Sequence, residues 1–161
     1  MMKSILAVLI GILLALGVGV LVIFGIVAPV LTRFFGPELA STGLPAVLVL
    51  LAAAFAFYFG GMVASYKAPS RRRLHGVLVG VVSFAISPLV NLAASAVGVR
   101  GSDPFASLRT PGALLFTGVL LVVVITASYV GARRGESLFV HNQAIIRRQR
   151  KARERLSEGR E

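Results

Sequence analysis

At 161 residues the chain has room for one domain of ordinary size, and its composition is not that of a soluble one. Hydrophobic residues make up 57% and charged residues 14%, against about 25% charged in typical soluble domains, so most of the surface must face lipid. The absence of cysteine excludes disulfides, thiolate chemistry and the usual zinc sites, and the net charge of +11, a nucleic-acid signal in a soluble protein, has a distribution that points elsewhere.

Residues 4 to 31 carry no charge. A signal-peptide core is only about 7–15 residues, and no small-residue cleavage site follows a short core here. The run therefore reads as a first membrane span, about residues 5–30, long enough to tilt. Gly11, Ala15 and Gly19 lie four apart. They form either a smooth face for another backbone or the scattered small residues of any membrane helix. Gly36-Pro37 and Gly43 then break regular structure, and Pro45 suits the first turn of a second span, about 45–66.

In that second span Ala52, Ala56, Gly60, Ala64 and Ala68 repeat every four residues, with Ala53, Gly61 and Ser65 alongside. Such steps drift slowly around a helix and make one continuous flat stripe. Lipid offers helices no hydrophobic reason to associate, so close backbone contact across small residues is the main alternative. The stripe is expected to be a buried helix contact, and Gly76 and Gly80 of the next span are expected to be helix-packing positions as well.

Lys67, Arg71, Arg72 and Arg73 crowd the following turn, with Ser70 placed to cap the third helix. Arginines at a helix N-terminus oppose the macrodipole, which anionic headgroups can offset. The turn, with His75 at its edge, is either a phospholipid headgroup site or a plain topology signal. The third span, about 74–98, carries Ser83, Ser87, Asn91 and Ser95 four apart beside the kink expected at Pro88. In hydrocarbon these groups need partners. They either line a hydrated path or bond neighbouring helices.

Asp103-Pro104 suggests a short surface helix in the next loop, and Thr110-Pro111 signals the start of a fourth span, about 112–132. Ala127, Gly131 and Gly135 are again four apart. Residues 136–161 form a basic tail that either lies as a helix on the membrane surface or stays disordered. Its basic run has no aromatic interleaving, so nucleic acid is not expected as a partner.

Fourteen of the 17 Lys and Arg fall on the side of both termini and the 67–73 turn, leaving Arg33, Arg100 and Arg109 opposite. Positive residues mark the cytoplasmic side. The expected fold is an all-α membrane protein with four transmembrane helices as two hairpins, both termini inside, plus a basic cytoplasmic tail helix. Residues 1–135 form the bundle. The span ends YFGGMVASYKAP and SYVGARRGES echo each other, which suggests an internal duplication.

Gly60-Gly61-x-x-Ala64, the basic turn, and His75-Gly76-x-x-x-Gly80 together resemble a signature of small bacterial and archaeal membrane proteins with four predicted helices and no known activity. The resemblance covers roughly residues 45 to 132 and implies the architecture alone.

No Asp, Glu, Lys or Arg lies within a predicted span. An intramembrane enzyme needs convergent ionisable or nucleophilic groups, and a proton-coupled transporter generally needs an embedded carboxylate. Neither is expected, nor any metal or cofactor. The favoured reading is a structural or interaction protein of the cell membrane, in a prokaryote the inner membrane. It packs through its Ala/Gly ladders, alone as a homo-oligomer or within a larger membrane complex, and its tail associates with anionic lipid. The alternative is a passive channel or carrier for a small uncharged solute along the polar stripe.

Overall fold

The computed structural model describes residues 2–34, 43–96 and 110–158, with side chains for 2–33, 43–86 and 110–153. The short surface helix expected at Asp103-Pro104 lies outside the described residues. Helix α1 (Met2–Val22) passes through a π-helical turn (Ile23–Val27) into α2 (Ala28–Phe34), and α3 (Leu44–Lys67), α4 (Arg72–Ala96) and α5 (Pro111–Glu158) follow. There is no strand among the described residues. Among the described residues three helical stretches are long and apolar enough to cross a membrane: Met2–Arg33, Leu44–Lys67 and Pro111–Arg153. The fourth long helix, α4, is less apolar over its 25 residues.

Local chemistry explains most of the helix ends. Pro29 lacks an N–H, and its ring crowds the carbonyl four residues back. The helix widens just before it, with the Ala28 N–H reaching the Ile23 carbonyl. Pro45 occupies the first turn of α3. Ala68, obliged by Pro69 to leave the helical region, sits at φ −65°, ψ 136° and ends α3. The start signal at Thr110 holds: its hydroxyl accepts the Ala113 N–H at 3.3 Å, and Pro111 opens the helix.

Two expectations are corrected. Ser70 does not cap α4. The helix begins at Arg72, and the Arg71 carbonyl accepts the Leu74 N–H at 2.9 Å and the His75 N–H at 3.4 Å. Arg71 itself stands at φ 42°, a left-handed conformation that costs a non-glycine residue energy. This sharp step replaces the side-chain cap. Secondly, the tail is helical to Glu158 and not unstructured, because α5 runs through the 135/136 boundary without a break.

Helix α3 lies at the centre and touches α1, α4 and α5. Along α1, Gly11 meets Gly60 and Ala64 while Gly19 meets Ala56, so α1 and α3 run antiparallel. Along α5, Gly131 meets Tyr58 and Gly135 meets Met62, so α3 and α5 run parallel. Gly76 meets Ala132 and Gly80 meets Val124, which makes α4 antiparallel to α5. The buried core is Ile12, Ala15, Ala64 and Val79, with Val8, Phe57 and Val82 against it. Large apolar side chains such as Phe24 and Leu115 point outward, 70% and 72% exposed. That is an inside-out surface that only an apolar surround can solvate.

Candidate functional site

The small residues of α3 serve two different faces. Ala52, Ala56, Gly60 and Ala64 are buried, and the Gly60 edge meets α1. A methyl placed on Gly60 would stand 2.6 Å from the Gly11 carbonyl oxygen and 2.8 Å from the Ala15 Cβ. One on Gly11 would stand 2.7 Å from the Gly60 oxygen. The other face meets α4 and α5. There a methyl on Gly61 would collide with the Ser128 backbone, and one on Gly76 would meet Ala132 and lie 2.7 Å from the Gly61 oxygen. On Gly80 it would lie 2.8 Å from the Ser128 hydroxyl. Gly131 and Gly135 press on the Tyr58 and Met62 carbonyls. These backbones are too close for any side chain between them, the contact that dispersion in lipid favours.

The seam ends in a polar cluster at the α3–α4 turn. Ser65, fully buried, donates to the Ala132 carbonyl at 2.8 Å, tying α3 to α5. Arg72 donates to the Tyr66 carbonyl at 2.8 Å and the Ser65 carbonyl at 3.3 Å. It thereby satisfies the last turn of α3, where carbonyls lack partners and the dipole is negative. Its guanidinium carbon also stands 3.3 Å over the Phe139 ring of α5. Arg73 pairs with Glu136; the hydrogen bond and charge of that carboxylate hold its guanidinium above its ordinary pKa. Asn142 donates to the Tyr66 hydroxyl at 3.0 Å, beside the edge-on contact of Tyr66 with Phe139. Glu136, Phe139 and Asn142 are the first turns of the basic tail, and these contacts hold them against the bundle.

The turn residues expected at a headgroup thus divide. His75 is buried, and its Nδ1 lies 3.1 Å from the Arg71 carbonyl, so Nδ1 carries the proton that is donated there. Arg72 and Arg73 are engaged within the protein. Lys67 and Arg71 are exposed and have no partner among the described residues. Lys67 converges instead with Lys3 of α1 over a hollow of about 240 Å³ floored by Leu6, Ala7 and Ile10. A second hollow, about 320 Å³, runs between α1 and α4 from Ser4 and His75 to Ile86 and is apolar along its length.

Of the polar stripe, the side chains of Ser87, Asn91 and Ser95 lie outside the described residues. The hydroxyls of Ser83 and Ser128 are buried and have no hydrogen-bond partner among the described residues. An interhelical bond that is described comes from Ser65 of α3. Its signal, a hydroxyl among the small residues of α3, was present but did not name the carbonyl it would reach. Among the described residues no cluster of His, Asp or Glu could hold a metal ion. No family model, curated protein or solved structure matches this chain.

Proposed function

We propose that this is an integral membrane protein of structural or interaction type, with four spans and with both ends and the α3–α4 turn on the cytoplasmic face of a cell membrane. The supporting observation is that the cationic ends converge. Lys3 and Lys67 line one hollow, and Arg72 and Arg73 contact α5 just past Arg133 and Arg134. Alternating helix directions thus gather the basic residues at one end, as a positive-inside arrangement requires. The glycine seams supply the rigidity of a scaffold. A second copy, or a larger membrane complex, is the partner that such a scaffold serves.

Association of the whole tail with anionic lipid would require α5, one continuous helix to Glu158, to turn along the surface. At 1.5 Å per residue, Arg147 stands about 20 Å along the axis from Arg134. That exceeds two Debye lengths of roughly 8 Å at physiological salt. The contacts of Glu136, Phe139 and Asn142 oppose a bend near the membrane, so the basic run reads as an arm presented to a partner beyond the headgroups.

The chain lacks cysteine, so single introduced thiols test the threading directly. Ser70→Cys and Ser137→Cys should resist an impermeant reagent applied to intact cells and react in inverted vesicles. Ser102→Cys should do the reverse. Labelling of Ser70→Cys from outside would reject the arrangement. The channel alternative draws on the unpartnered hydroxyls of Ser83 and Ser128. Proteoliposomes that shrink and re-swell in glycerol faster than empty vesicles would favour it.

A further inference from the structure

We infer that the hollow between Lys3 and Lys67 binds one anionic phospholipid, its phosphate bridging the two ammonium groups and its acyl chain lying over Leu6 and Ile10. The inference rests on the membrane reading above and specifies which of the basic residues meets a headgroup. The two lysines come from different helices, α1 and α3, and converge on one hollow of about 240 Å³. Both are exposed, and neither has a hydrogen bond or ion pair among the described residues. Glu136 carries the only described acidic side chain, and Arg73 holds it. No described carboxylate is thus left to pair with the lysines.

The floor decides what kind of anion fits. Below the lysines it is Leu6, Ala7 and Ile10, with no polar group. Ile10 lies seven residues along α1 from Lys3, about 10 Å deeper into the hydrocarbon. A free phosphate would leave that floor bare, whereas a diacyl lipid covers it while its headgroup stays at the rim. Lysines suit such a site, because their flexible stems lie on apolar surface while the charge stays at the interface. The arginines of the turn, the more obvious candidates, are committed to the Tyr66 carbonyl, Phe139 and Glu136.

The test is native mass spectrometry of the full chain released from nanodiscs of phosphatidylglycerol and phosphatidylcholine. The expected result is one retained phosphatidylglycerol per chain. In the variant carrying Lys3→Gln and Lys67→Gln, its retention should weaken about twenty-five-fold, from two contributions of roughly fivefold, one per ammonium. Arg73→Gln should change it less than about twofold, since that charge is already paired. Dihexanoyl phosphatidylglycerol and inorganic phosphate should compete poorly. Unchanged retention in the double variant overturns the proposal, as does competition by inorganic phosphate equal to that of the long-chain lipid. Both lysines are exposed, so an unaltered melting temperature is expected and separates binding from folding. Extraction of the wild-type chain by alkaline carbonate would instead sink the membrane reading itself.

Discussion

The two halves of α5 are built on opposite principles. From Pro111 to about Val123 it shows large apolar side chains, such as Leu115 and Val122, to the outside, and Gly112 and Gly118 meet nothing within 4 Å among the described residues. From Val124 to Asn142 it is clasped. Gly131 and Gly135 press on α3 carbonyls, Ser128 fills the space beside Gly61 and Gly80, and Glu136, Phe139 and Asn142 grip the α3–α4 turn. The same contrast divides α1, where Gly11 is in contact with α3 and α4 while Gly17 and Gly25 are open. Glycine content therefore does not measure packing; what lies across from each glycine does.

The largest effect expected from breaking this contrast is at the clasp. Gly131→Leu would drive a side chain into the Tyr58 carbonyl, a backbone obstacle that cannot rotate away. It should cost at least about 3 kcal/mol in detergent melting, whereas Gly118→Leu in the open half should stay within about 0.5 kcal/mol. Equal melting of the two would remove the distinction between the halves. Arg72→Ala deletes the bonds to the end of α3 and the stacking on Phe139, at about 1–2 kcal/mol. Proteolysis should then open the chain near residue 139 before it touches the spans. Ser65→Ala removes one interhelical bond and should cost about 0.6 kcal/mol, the average for such bonds in membranes. Ser83→Ala should be neutral or slightly stabilising, because its hydroxyl is buried without a partner. A clear loss there would reveal a bound water or solute, and so sharpen the channel alternative.

Periodicity made the small-residue faces legible. The four-residue ladders of α3, and those at Gly11 and Gly131, are where helices touch. It could not say which ladder meets which, since spacing along one helix carries no information about its neighbour. The division of α3 into a Gly60 face for α1 and a Gly61 face for α4 and α5 emerges only in three dimensions. The role of Arg72 was hidden for a related reason. A run of three arginines reads as uniform charge, whereas a helix directs successive side chains about 100° apart, so that Arg72 and Arg73 find different partners. The continuity of α5 had a signal in the sequence. Between Gly135 and Gly159 there is neither Gly nor Pro, and Arg, Gln, Lys, Ala and Leu are good helix formers. The change from apolar to basic residues at 133 obscured it, although a change of solvent is not a change of backbone preference.

An unbroken α5 also has a mechanical consequence. Clasped as far as Asn142, it carries a free outer arm to Arg153 about 16 Å long. A tilt of about 10°, of the order that bilayer thickness can impose on a membrane helix, swings its charged tip by roughly 3 Å. On the membrane reading proposed above, a change in the surrounding lipid is converted into a displacement outside it.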